Sequence, residues 1–101
     1  MNVNLCTKKM ETIIGSIQSQ NEIEKLQSYG AIVSIMELFD DLAEVLAVSE
    51  DIYQQYKTSL LWHCQVLCGL EEAAGLDEAS HVEAACEEIR KLKSVHCFNC
   101  N

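Results

Sequence analysis

Apolar residues return along this chain at intervals of three and four, the spacing that lines one face of a helix, and no strand-like alternation competes. Met10, Ile13, Ile14 and Ile17 form the first such stripe and predict a helix over 7–19. The polar run Gln18-Ser19-Gln20-Asn21 then interrupts the period. Both Ser19-x-x-Glu22 and Asn21-x-x-Glu24 fit a capping box, in which side chains satisfy the free backbone donors of a new helix, so a turn belongs here.

The second predicted helix, 22–47, carries Ile23, Leu26, Tyr29, Val33 and Met36, after which its stripe drifts through Ile32, Ile35, Phe39, Leu42 and Leu46. A stripe that widens in this way predicts burial against more than one neighbour. Gly30 in its middle costs about 1 kcal/mol relative to Ala and marks the place where the helix would break if it breaks at all. Ser49 followed by Glu50 and Asp51 reads as an N-cap with two carboxylates at the positive end of the next helix dipole. Tyr53, Tyr56, Leu60, Cys64 and Leu67 make the stripe of that third helix, which ends at Gly75-Leu76 or already near Gly69. Asp77 or Ser80 caps a fourth, with Val82, Ala85, Cys86, Ile89 and Leu92 as its stripe and Arg90, Lys91 and Lys93 offsetting its negative end. From Ser94 onward the period is lost, and residues 95–101 read as a tail. Short connections between long helices favour an all-α, single-domain antiparallel bundle of four helices, or five if Gly30 breaks the second.

Charge narrows the range of partners. The 101 residues carry a formal net charge of −9, and neither 26–56 nor 58–89 contains a Lys or Arg. Direct nucleic-acid binding is disfavoured by simple repulsion, and a protein partner with a basic surface is favoured. The start of the chain lacks an apolar leader core, and no run reaches the about 18 apolar residues of a membrane span, so the expected location is the cytoplasm with no membrane partner. In a reducing compartment the six cysteines default to free thiols.

Four groups of residues bear on chemistry. Glu37, Asp40, Asp41 and Glu44 share one helix face, with Glu50 and Asp51 just beyond its end, and form a candidate acidic ridge for partner binding. Tyr53, Tyr56 and Trp62 are candidate aromatic anchors beside it, since such residues dominate interface energies. Glu78-x-x-His81 has the spacing used in di-metal bundles but occurs once, so His81 is expected to be a surface residue of a first turn. Cys97-x-x-Cys100 with His96 supplies half a zinc site, for which Cys64 and Cys68, His63 or Cys6 are the other candidate ligands; a single terminal C-x-x-C is a weak signal, and no metal site is favoured.

No nucleophile with a base and orienting group can be assembled, and four scattered glycines make no phosphate loop. The expectation is a non-enzymatic protein without a cofactor that docks on a basic, nucleic-acid-handling partner and inhibits or regulates it. Small acidic inhibitors from phages and mobile elements, some anti-CRISPR proteins among them, share this composition, which is an analogy of class alone. The alternatives are a small zinc-binding or thiol-redox protein using the terminal Cys/His cluster, and a bundle that self-associates as a homodimer.

Overall fold

Asn2 sets the start of the first helix: its side-chain oxygen accepts from the Leu5 amide at 3.0 Å, so α1 runs Val3–Ser16 and begins a turn earlier than its apolar stripe. In the computed structural model, which describes residues 2–72, 75 and 77–96, a 3₁₀ turn at Ile17–Ser19 closes α1. Of the two capping boxes available, Asn21-x-x-Glu24 forms. The Asn21 side chain accepts from the Glu24 amide at 2.8 Å, and Glu24 accepts from the Asn21 amide at 3.1 Å.

The resulting α2, Glu22–Val45, is unbroken, so Gly30 does not divide it. The chain leaves α2 through a left-handed residue. The Ala47 amide donates to Glu44 O at 3.2 Å and the Val48 amide to Ala43 O at 3.0 Å, the paired bonds of a Schellman cap, with Ala47 at φ +54°. Alanine pays a steric cost there that glycine does not. Ala47→Gly is therefore expected to stabilise the protein by about 1 kcal/mol despite the added freedom of the unfolded chain. Chemical denaturation measures this directly, and an unchanged or lower midpoint would show that the left-handed turn is not strained.

Helix α3 spans Glu50–Leu67 and ends in the same cap, this time with glycine in place: Gly69 lies at φ +79°, and Leu70 N reaches Gln65 O at 2.8 Å. Ser49 occupies the N-cap position of α3 without a side-chain cap bond, leaving Glu50 and Asp51 to meet the dipole. Asp77 caps α4, Glu78–His96, by accepting from the Ser80 amide at 2.8 Å. That helix continues to His96, so Val95 and His96 belong to α4 and not to the tail expected from the loss of apolar period at Ser94.

The described residues thus form four α-helices and a 3₁₀ turn in a compact globule of 36 × 23 × 22 Å, with no strand among them. Helix α4 lies between α1 and α3, with α3 its most extensive neighbour, and α2 closes the ring by touching α1 and α3. Met10, Ile14 and Ile17 of α1, Ile32, Met36 and Phe39 of α2, Leu60 and Cys64 of α3, and Ile89 and Leu92 of α4 are fully or almost fully buried. Polar cross-ties join α2 to α3. Gln65 Nε2 donates to the Tyr29 hydroxyl at 2.8 Å, and the Cys68 thiol donates to Lys25 O at 3.2 Å. Among the described residues no helix is long and apolar enough to cross a membrane.

Candidate protein-interaction face

Three of the four α2 carboxylates point to solvent, and the fourth does not. Glu37, Asp41 and Glu44 are exposed, whereas Asp40 turns toward α3 and accepts from Lys57 Nζ at 2.9 and 3.0 Å. The Tyr53 hydroxyl also donates to Asp40 and lies 3.3 Å from the Met36 carbonyl. Burial first, and the Asp40 carboxylate next, push the Tyr53 phenol well above its ordinary range, so it stays protonated and donating. The expected four-acid ridge is corrected here: Asp40 is a partnered residue of the α2–α3 junction, because Lys57 on the facing helix neutralises it.

Two further acids stand at the start of α3 but face different hollows. Glu50 shares with Glu44 a cleft of about 470 Å³ between the end of α2 and the start of α3, lined also by Ala43, Val48 and the Asp40-bound Lys57. Asp51 instead borders a shallow groove that runs along α3 through Thr58 to Trp62. Among the described residues the ion pairs are Lys57–Asp40, Arg90–Glu87 and Lys91–Glu88, so Glu37, Asp41, Glu44, Glu50 and Asp51 have no cation bound to them. The last turn of α2 carries no basic residue either, and Glu44 sits at the negative end of that helix.

The candidate aromatic anchors separate in the same way. Tyr53 is only 4% exposed, held edge-on to the His96 ring at 5.3 Å, and is a core residue rather than an exposed anchor. Tyr56 is half-buried under Lys91, whose Nζ lies 5.6 Å from the ring centroid. Trp62 is half-buried against the rings of His63 and His81 at 5.0 and 5.4 Å.

His81, expected at the surface, is fully buried. It stands one turn before Ala85 on the stripe that continues through Ile89, Leu92 and His96, so the inward face of α4 begins and ends on histidine. Glu78 faces solvent, so Glu78 and His81 do not share one inward site. His63 of α3 meets His81 with the two Nδ1 atoms 2.9 Å apart, and one proton must bridge them. His81 Nε2 is buried and has no polar partner among the described residues. A buried N–H without an acceptor is the rarer defect, and His63 can turn its own Nε2–H to water. These conditions assign the shared proton to His81 Nδ1 and leave its Nε2 as a bare lone pair. Burial first, then His81, lowers the His63 pKa, and Glu88 opposes them.

The cysteines of α3 are buried thiols. Burial pushes Cys64 up to about 12, with Cys68 and Cys86 adding to it, so it carries almost no thiolate at neutral pH. Burial also raises Cys68 and Cys86. His96, the candidate ligand beside the terminal C-x-x-C, points into the core instead, where Nδ1 donates to Leu92 O at 2.7 Å and the ring meets Phe39 edge-on. Cys97 and Cys100 lie outside the described residues. Among those described, no group of three or more His, Cys, Asp or Glu side chains is placed to hold a metal ion.

No protein-family model, curated protein or solved structure matches this chain.

Proposed function

We propose that this chain is a non-enzymatic interaction protein that docks its acidic α2 face, extended by Glu50 at the α2–α3 corner, on a basic surface of a protein partner and blocks or regulates it. One observation carries the reading: Glu37, Asp41 and Glu44 stand exposed at successive turns with no cation of their own. Like charges at this spacing cost a few tenths of a kcal/mol per pair, about 0.2–0.5 each, and Glu44 adds an unfavourable contact with the helix dipole. A basic partner relieves both. A protein that handles nucleic acid fits best, because its own basic surface already accommodates closely spaced negative charges. In this reading the helices form an antiparallel up-down bundle, a rigid platform that presents α2 without rearrangement.

The test is the variant Glu37→Gln, Asp41→Asn, Glu44→Gln, with Asp40 left in place because it holds Lys57 and Tyr53. Its thermal stability is expected to equal or slightly exceed that of the parent. Association with the partner recovered by affinity capture from the native host is expected to slow by about tenfold and to lose most of its salt dependence. A parental association rate and salt slope would reduce this face to ordinary solvated surface.

A further inference from the structure

Helix α2 is apolar on two faces, and the fold uses one of them. Ile32, Met36, Phe39 and Ala43 form the inner seam and are buried. A second series, Ala31, Ser34, Leu38, Leu42 and Val45, also recurs at three and four residues but faces outward: Leu38 is 48% and Val45 79% exposed, and Ala31 and Leu42 are half-buried. A helix with a single neighbouring core needs only one such stripe. Glu37, Asp41 and Glu44 run along one edge of the outer seam, so apolar and acidic strips lie side by side on α2.

Gly30 adds to this picture. It costs about 1 kcal/mol in a helix interior, yet a Cβ there would meet nothing within 4 Å, so the fold gains no close contact from it. With Ser34 one turn on, it keeps the upstream part of the outward face low, which lets a second backbone approach.

We propose that the outer seam of α2 is the seat of one amphipathic helix from the partner protein, its apolar face on Leu38, Leu42 and Val45 and its Lys or Arg side chains on Glu37, Asp41 and Glu44. The inference rests on the basic-partner reading and specifies the form of the partner. Charge selects this occupant over a second copy of the chain. A copy would bring a second formal charge of −9, and between residues 26 and 56 neither copy has a Lys or Arg to pair with the facing acids, the nearest on α2 being Lys25, three turns upstream of Glu37. The seam spans roughly 21 Å, the length of a helix of about four turns. Helix-in-groove recognition reads its anchors at this three-and-four spacing.

Three synthetic peptides of roughly 15 residues probe the seam by fluorescence anisotropy at about 0.15 M salt. One is a Leu/Lys amphipathic helix, the second has the same composition with leucines spread around the helix, and the third carries Lys and Ala only. The amphipathic peptide is expected to bind at least about tenfold more tightly than the other two, and Leu38→Ser with Val45→Ser is expected to erase that advantage. Both changes fall on exposed positions, and an unchanged melting temperature verifies the fold. Equal binding of the first two peptides, lost only in the Glu37/Asp41/Glu44 variant, would overturn the seam and leave the charge reading standing. No binding by any peptide would also overturn the seam, and the charge reading would then be judged by the partner's association rate alone. A dimer in sedimentation that the Leu38/Val45 variant converts to monomer would assign the seam to a second copy and overturn the proposal.

Discussion

Phe39→Ala is expected to destabilise the protein by about 3–5 kcal/mol, enough to leave a chain of this size close to unfolding. Phe39 has no exposed surface and stands where three helices meet: it contributes the α2 side of a cluster completed by Tyr53 of α3 and His96 of α4. Truncation removes the ring's burial and also opens a cavity beside two polar side chains whose positions depend on it. Tyr53 would be left with less to hold its hydroxyl against Asp40, and the His96 ring would lose its edge-on neighbour at 4.9 Å. The midpoint of urea denaturation should fall steeply with little change in its slope, since the surface exposed on unfolding is nearly the same. Leu38→Ala on the outer seam of the same helix is the comparison. A similar loss at both positions would mean that α2 is not anchored through its inner face.

The second large effect is a loss of stability in mild acid. The His63–His81 contact holds one proton between two nitrogens 2.9 Å apart, and a second proton would set two cations against each other beside the buried Trp62 face. Asp77, which caps α4, and Glu88 within it are the carboxylates that act on this pair, and the ordering of effects on His63 leaves its pKa lowered despite Glu88. The unfolded chain therefore takes up the proton first, at about 6.5, and the folded protein only at lower pH. Stability is complete above about pH 6.5 and declines as the pH falls through the lower folded value. Solvent on the His63 side tempers the size of the effect, so a fall of a few degrees in melting temperature between about pH 7 and 5 is expected. The lowered Asp77 pKa works in the same direction only below about pH 4, where carboxylates begin to titrate, and the two effects separate on the pH axis. His63→Gln keeps a hydrogen-bonding side chain and removes the titration, and is expected to flatten the decline. An acid limb that persists unchanged in His63→Gln would place its origin elsewhere.

Local signals in the sequence were sufficient for the helices themselves. Met10, Ile14 and Ile17 mark the buried face of α1 through their spacing, and local signals narrow the start of α2 to two capping boxes and that of α4 to Asp77 or Ser80, because each acts on residues within a turn of itself; the structure selects Asn21–Glu24 and Asp77. The end of α3 was narrowed to Gly69 or Gly75 for the same reason, and the end of α2 was placed near residue 47 without any sign of the left-handed cap that makes it. Ala47 adopts the left-handed conformation without the glycine that normally announces it, and only the neighbouring bonds of the cap reveal the turn.

The candidate site divides along the same line. That Glu37, Asp41 and Glu44 share a helix face follows from their spacing alone, and the lack of Lys and Arg across 26–56 is read directly from the sequence. Which acid leaves that ridge depended on Lys57, seventeen residues away in the chain and across a helix interface. From the sequence His81 reads as a surface residue of a first turn and His96 as part of a tail in which the apolar period is lost, and neither local pattern signals burial. Their burial becomes acceptable only once His63 and the Leu92 carbonyl supply partners. Helix periodicity, caps and net charge are set by neighbours in sequence and can be read from it. The pairing that decides whether a polar side chain is core or surface is set by neighbours in space, and those exist only after α3 and α4 have come together.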